Sequence, residues 1–287
     1  MDKPIQFLAD REKLLLEKAQ AKTYSSVEGR DLRIHFYFPG DFSEGDARTV
    51  ILFFNGGAWD RGNVIQFAPH ALHFVDRGAV CGLVEYRDRS SFPQATPLDA
   101  VSDARAAIQF VRVHAERLGV DSSKVVAVGA GAGGNLVGNA VLSEWTAAEG
   151  VDFRPDAAAM YSPIIDVEKG GYGSDEISDP AVSKTLSLSR KVATGHAPVL
   201  LLHGTADRLI PIDRVREFAR RLQRKRNECY LVELEGRDQN FFNLNVDPMS
   251  FEIVLSETDS FLEGHGLLER AAGTTDTRVI SWREEDP

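Results

Sequence analysis

Short apolar runs alternate with helical patterns along most of this chain. Seven runs have the composition of strands: RIHFYF (33–38), TVILFF (49–54), AVCGLVEY (79–86), KVVAVG (124–129), AAAMYS (157–162), PVLLLHG (198–204) and CYLVEL (229–234). The central runs are apolar throughout, which is typical of strands that helices cover on both faces. The pattern predicts an α/β fold with a doubly wound, mainly parallel central sheet in a single domain.

Three segments carry helical periodicity. In residues 97–119 the apolar positions 101, 104, 108, 111, 115 and 118 share one face, and Gly119 ends the pattern. Residues 213–227 and 248–266 give two further helices. We divide the chain into an N-terminal helical extension (1–27), the α/β domain (28–265) and a C-terminal tail (266–287). Within the domain, we predict that the polar segment 168–196 forms a loop or lid over the carboxyl edge of the sheet.

Composition excludes several classes of protein. The 287 residues are 43% hydrophobic and carry a net charge of −10, which disfavours a nucleic-acid partner because phosphates require basic residues. No run approaches the ~20 apolar residues of a membrane span, and the N-terminus lacks the apolar core of a signal peptide. We therefore expect a cytoplasmic protein without a cofactor. Cys81 and Cys229 lie in apolar runs, and we expect both to be buried thiols.

The stretch VVAVGAGAGGNLVGNAVL (125–142) is an apolar run, a glycine-dense turn and a small-residue helix. The loops that follow the other strands are NGGAWDRG, SFPQATPLDA, TADRLIP and RDQNFFN. In parallel sheets such loops form the site, at the carboxyl ends of the strands. Together, in this order, these segments resemble the α/β-hydrolase fold. They are most similar to its esterase/lipase branch with an HGGAW-type oxyanion loop, which includes acetyl-xylan and feruloyl esterase-like proteins. The resemblance covers about residues 28–265.

The resemblance implies where the catalytic residues belong. The G-x-S-x-G elbow of active members corresponds to residues 129–133, so Gly131 stands in the nucleophile position. The acid after the HG strand corresponds to Asp207, which is retained. The histidine base corresponds to Gln239 in GRDQNFF, with Asn240 in the place of the following glycine. The implied catalytic triad is therefore degenerate.

The oxyanion loop of the family begins with histidine, whereas here it begins with Asn55. Gly56 and Gly57 remain, and with the Ala132 amide they either form an oxyanion hole or persist because the turn requires glycine. Asp207 likewise is either a leftover acid or a residue that caps the turn before Pro211.

The chemistry of acyl transfer turns on Gly131 and Gln239. Glycine has no side chain with which to attack an ester, and a carboxamide does not titrate near neutral pH. Loss of a whole triad costs about 10⁶-fold in kcat. Glycine also relieves about 1–3 kcal/mol of strain at an elbow with positive φ. An engineered nucleophile knockout is the rival explanation, but it does not account for Gln239 or Asn55.

Other residues offer alternative chemistry. A relocated base would be one of His203, His196 and His265, and Ser162 follows a different strand from the elbow. His70, His73 and Asp76 fall near one helical face, but their spacing has no known metal signature, and we predict no metal site. The basic run at 220–226 reads as a solvated helix face near a C-terminus.

Two functions follow for testing. The preferred one is a catalytically inactive binding or scaffold protein, with a pocket lined by Trp59, the 168–196 segment and Phe241 that takes a small acyl or glycosyl ligand. The alternative is a carboxylic ester hydrolase that uses a non-standard nucleophile or an activated water. The sequence leaves homo-oligomerisation open.

Overall fold

The computed structural model describes residues 14–167, 177 and 179–269, and its centre is an eight-stranded sheet. The strands are β1 (Gln20–Val27), β2 (Arg30–Tyr37), β3 (Arg48–Phe54), β4 (Val80–Val84), β5 (Val120–Ala130), β6 (Ala157–Tyr161), β7 (Val199–Gly204) and β8 (Cys229–Leu234). Their spatial order is β1-β2-β4-β3-β5-β6-β7-β8. β2 pairs antiparallel with β1 and β4. The six strands that follow β2 in this spatial order, β4, β3, β5, β6, β7 and β8, pair in parallel. The predicted mainly parallel sheet is confirmed.

Helices cover both faces of this sheet. They are α1 (Ala68–Asp76), α2 (Pro97–Val113), α3 (Ala132–Val141), α4 (Pro180–Leu186), α5 (Ile212–Arg224) and α6 (Pro248–Gly264). Buried residues of α2, α3 and α5 join one apolar cluster, and those of α1 and α6 join another. Successive residues of β3 enter the two clusters alternately, with Leu52 in the first and Phe53 in the second. This two-sided burial explains why β3 is apolar at every position from Val50 to Phe54.

Helix α2 follows the predicted pattern at its start but ends early. Thr96 and Asp99 form a capping box, and Pro97 occupies the first turn, where its missing N–H costs nothing. The helix ends at Val113, six residues before Gly119. Gly119 has a φ of +58°, which a glycine adopts without strain, and its N–H closes a turn onto the carbonyl of Glu116.

Three domain expectations need correction. Residues 20–27 are not helical but form edge strand β1, because their backbone pairs with β2. The segment 168–196 is not irregular throughout, since α4 and a 3₁₀ helix (Leu188–Arg190) lie within it; residues 168–176 and 178 are outside the described part. The body also extends past residue 265, because Leu267 is buried and its carbonyl accepts a hydrogen bond from Thr49 Oγ1. Residues 270–287, with Val279, Ile280 and Trp282, lie outside the described residues.

Two further sequence expectations concern a membrane span and the two cysteines. Across the residues that the structure covers, no helix is long and apolar enough to span a membrane. The thiols of Cys81 and Cys229 are free and buried, and burial raises the pKa of both.

His70 of α1 is fully buried among aromatic rings, and this makes stability depend on pH. Its ring lies 4.8 Å from that of Phe251 and 4.9 Å from that of Phe67, measured between centroids. Burial, together with nearby His73, lowers the pKa of His70 to about 3. The unfolded chain therefore binds this proton near pH 6.5, whereas the folded chain does not.

We expect the contribution of His70 to the free energy of unfolding to be fully present above pH 6.5. It should fall as the pH drops from 6.5 towards 3, by at most about 1.4 kcal/mol per pH unit. Urea unfolding of wild type and His70→Leu at pH 7 and pH 5 measures the difference in slope. Phe218→Leu, a fully buried position in the other apolar cluster, is the control, since it should lower stability equally at both pH values. Equal pH slopes in wild type and His70→Leu would contradict the prediction.

Candidate functional site

The turn between β5 and α3 has Gly131 at its apex. Gly131 has a φ of +52°, its N–H donates to the carbonyl of Tyr161 and its own carbonyl accepts from Ile164, each at 3.1 Å. A Cβ placed on Gly131 has one neighbour within 4 Å, Nε2 of Gln239 at 3.8 Å. The apex therefore faces open space, with a carboxamide beside it.

The loop after β3 (55–62) runs through three consecutive residues with positive φ. The angles are +132° at Gly57, +54° at Ala58 and +58° at Trp59. Residues with a Cβ cost about 1–3 kcal/mol each in that region unless their surroundings hold them there. Two hydrogen bonds hold the loop in this conformation, because the N–H groups of Asp60 and Arg61 both donate to the carbonyl of Gly57.

Gln66 ties this loop to the loop after β8. Its Oε1 accepts from the N–H of Gly56 at 2.8 Å, and its Nε2 donates to Oδ1 of Asn243 at 3.3 Å. The neighbouring Phe67 ring stacks on Phe242, with centroids 5.7 Å apart. Sequence reasoning missed Gln66, because a single glutamine in the short segment after the glycine loop matches no motif.

A cavity of about 240 Å³ opens between these loops. It lies beyond the carboxyl ends of β3, β5, β6 and β8, where a parallel sheet is expected to form its site. It is lined by Gly56, Gly57, Ala58, Gln66, Ala130, Gly131, Ala132, Ile164, Gln239, Asn240 and Phe242. Of the residues that the sequence analysis proposed, the structure thus brings Gly56, Gly57, Gly131, Ala132 and Gln239 together.

Four other proposed residues do not line the cavity. Trp59 is buried in the apolar cluster, and Ala58 faces the cavity instead. Phe241 is also buried, and its neighbour Phe242 takes the place at the wall. Asn55 is buried, with its Nδ2 donating to the carbonyl of Gly56.

Asp207 is the fourth, and it caps a turn. Its Oδ1 accepts from the N–H groups of Leu209 and Ile210, at 2.8 and 2.9 Å. Its Oδ2 lies 3.4 Å from Nε2 of His203, which is hydrogen-bonded to the carbonyl of Ile210 at 2.8 Å. Burial lowers the pKa of His203, so the imidazole is neutral and Asp207 keeps a weakly satisfied oxygen.

The other candidate bases and nucleophiles lie elsewhere. His196 bonds to the carbonyl of Lys191, and His265 to the carbonyl of Phe261. Ser162 is fully buried with a φ of +41°, and its N–H donates to Leu202 of the neighbouring strand. None of these residues lines the cavity.

The helix-face histidines do not converge. His70 points into the aromatic cluster, whereas Nε2 of His73 lies 2.7 Å from Oδ2 of Asp259 in α6. In the portion of the chain that the structure describes, no three His, Cys, Asp or Glu side chains are grouped so as to hold a metal ion. The basic run on α5 is exposed, and Arg221 and Arg224 both pair with Glu217.

The cavity offers backbone donors and carboxamides rather than ionisable groups. The N–H of Ala132 lies in the first turn of α3, where helix geometry leaves it without an intrahelical partner. The Gly57 N–H has no acceptor among the described residues. Two such donors are suited to a carbonyl oxygen, while none of the eleven lining side chains takes up or releases a proton near neutral pH.

Comparisons with known proteins agree with this architecture. The BD-FAE family model matches residues 35–152, and the model of the prolyl oligopeptidase family matches residues 96–238. Esterase 2 of Thermogutta terrifontis, solved after phosphoramylation by tabun, is 32% identical, with a TM-score of 0.82 over 89% of this chain and 98% of that one. A propionate-bound structure of that esterase is 31% identical over 89% and 97% of the two chains, also at a TM-score of 0.82.

Curated relatives are more distant. Isoprenylcysteine alpha-carbonyl methylesterase ICME of Arabidopsis thaliana is 25% identical over 71% of this chain and 53% of that protein, and esterase LipC of Mycobacterium tuberculosis is 24% identical over 67% and 53%. The chain spans about half the length of the curated relatives it matches. The sheet topology, the position of the cavity and the near-complete overlap with a 32% identical esterase together establish that this chain belongs to the esterase/lipase-like α/β-hydrolase family.

Proposed function

We propose that this protein binds a small acyl compound in the family's active-site cavity without hydrolysing it. The observation that carries the proposal is the pairing of Gly131 with Gln239 at the elbow. Gly131 has no side chain, and Nε2 of Gln239 lies 3.8 Å from the position that a Cβ on residue 131 would occupy. In this reading the nucleophile and the base are both lost. Acyl transfer by a serine needs both an attacking oxygen and a neighbouring proton acceptor.

The binding half of the machinery supports the same proposal. We take the loop 55–62 to correspond to the HGGAW-type oxyanion loop, with Gly57 and Ala132 supplying its backbone donors. The loop keeps two non-glycine residues at positive φ, a conformation that costs free energy. The related esterase 2 has been solved with propionate and with butyrate bound, and the short acyl chain that these two compounds share favours a small acyl ligand here.

Hydrolysis by an activated water is the alternative. It requires a group in the cavity that accepts a proton near neutral pH. Asp207 is the family-derived candidate, and both turn amides that it caps compete for its carboxylate. The carboxamides at positions 66, 239 and 240 do not titrate.

We expect wild type to release p-nitrophenol from p-nitrophenyl acetate no faster than Gln239→Met or Asp207→Ala, because none of the three contains a nucleophile–base pair. Circular dichroism checks that both variants are folded. Turnover clearly above background that either substitution abolishes would overturn the proposal.

Binding is tested separately by thermal shift with small acyl compounds. Asn240 is exposed at the cavity, so Asn240→Trp is expected to cover its mouth and to remove any ligand-induced rise in Tm. A rise that persists in Asn240→Trp would place the ligand elsewhere.

A further inference from the structure

We propose that the cavity selects an uncharged carboxamide over a carboxylic ester or a free acid. This inference rests on the binding role proposed above and assigns the chemical class of the ligand. It follows from which polar groups of the cavity are already hydrogen-bonded and which are not.

The polar side chains of the cavity are uncharged. The side chains that bring polar atoms to the cavity are Gln66, Gln239 and Asn240, all of them carboxamides. A carboxylate that entered would lose water without gaining an ionic partner, and burial of an unpaired charge is unfavourable. The first turn of α3 offsets only a small part of that cost. An uncharged ligand is therefore favoured.

The two glutamines of the cavity differ in their hydrogen bonds. Gln66 is committed at both ends, since its oxygen accepts from Gly56 and its nitrogen donates to Asn243. Gln239 makes no hydrogen bond to any residue in the described ranges 14–167, 177 and 179–269, although it is partly buried. The donor Nε2 of its carboxamide lies beside the apex of the elbow, and rotation about the Cγ–Cδ bond exchanges it with the acceptor Oε1.

A ligand with both an acceptor and a donor complements these groups. The N–H groups of Ala132 and Gly57 line the cavity without an acceptor among the described residues, so a ligand carbonyl oxygen is a suitable partner for them. Oε1 of Gln239 needs a donor close to that carbonyl. The C(=O)–N–H group of a carboxamide supplies both, whereas an ester supplies acceptors alone and leaves Oε1 of Gln239 without a partner. Gly131 leaves room for this arrangement, because the space that a side chain would fill is open.

The test uses probes of nearly identical shape: acetanilide, phenyl acetate and phenylacetone, which place N–H, O and CH₂ at the same position, together with benzoate as an anion. Dissociation constants are measured by ligand-observed NMR titration at pH 7. We expect acetanilide to bind about fivefold more tightly than phenyl acetate or phenylacetone, the effect of one net hydrogen bond. Benzoate should bind most weakly.

Variants assign the preference to Gln239. Gln239→Met keeps the length of the side chain but removes its acceptor, and should bring the ratio of acetanilide to phenylacetone affinity to about one. Gln94→Met, at an exposed glutamine outside the cavity, should keep the fivefold ratio.

Equal affinities in wild type, tightest binding of benzoate, or a preference that survives Gln239→Met would each overturn the carboxamide assignment and leave the binding role standing. Binding of none of the four probes would contradict the binding role itself, and hydrolysis of phenyl acetate would contradict the proposed loss of catalysis.

Discussion

The double substitution Gly131→Ser with Gln239→His is expected to produce esterase activity on p-nitrophenyl acetate at least about 10²-fold above wild type, the lower end of what a positioned base contributes. The position of a Cβ on residue 131 is free of close contacts, and the side chain of residue 239 already lies beside it. A serine oxygen and an imidazole would therefore meet at this apex.

Asp207 is the candidate third member for such an imidazole. Asp207 is buried and has one weakly satisfied oxygen. Its loop contacts the loop that leads to residue 239, because the N–H of Ala206 donates to the carbonyl of Arg237 at 2.9 Å. Gly131→Ser and Gln239→His alone should each give little activity, since a nucleophile and its base act as a unit. Adding Asp207→Ala should abolish the gain.

A folded double variant that stays inactive would show that the loops 55–62 and 236–247 no longer hold catalytic geometry. The measurement is kcat/KM for the two single variants, the double variant and the triple variant. Circular dichroism and an unchanged cooperative melt serve as the check that all four are folded.

Gly133→Ala is expected to lower the free energy of unfolding by about 3 kcal/mol or more. A Cβ there would lie 2.0 Å from the carbonyl oxygen of Phe54 and 2.5 Å from that of Asn55, so α3 has to move away from β3. Alanine gains about 1 kcal/mol of helix propensity, which is smaller than the cost of that displacement.

Gly131→Ala, two residues earlier, is the matched control. Its Cβ has no neighbour closer than 3.8 Å, so the cost is the positive φ alone, about 1 kcal/mol. Urea unfolding of both variants gives the comparison. Equal losses of stability would mean that the contact between α3 and the end of β3 is looser than this structure has it.

Much of the fold follows from local sequence patterns. The sequence predicts β3, β5 and β7 because a strand segment that is buried on both faces is apolar throughout, as in residues 50–54, 125–130 and 199–202. β1 was missed because it lies at the edge of the sheet and is mostly exposed, so its residues carry no apolar pattern. α4 was missed for a similar reason: it is a short helix in a polar segment, with Pro180 and the cap at Asp179 as its only signals.

The site was predictable where the course of the backbone alone brings a residue to the cavity. Gly131, Gly57 and Ala132 reach the cavity because the loops after parallel strands converge at one edge of the sheet. Trp59 and Phe241 were assigned to the wall wrongly, because a shift of a single residue in a loop exchanges the side chain that faces the cavity for the one that packs inside.

The sequence by itself determined the strand and helix alternation, the turn glycines and the residue types at positions 131, 207 and 239. These depend on local conformation and on side-chain chemistry, both of which are written in the chain. Only the tertiary structure decided that Gln66 is bonded at both ends, while Gln239 bonds to no other described residue. Hydrogen-bond partners distant in sequence are set by how loops approach one another, and no local pattern encodes that approach.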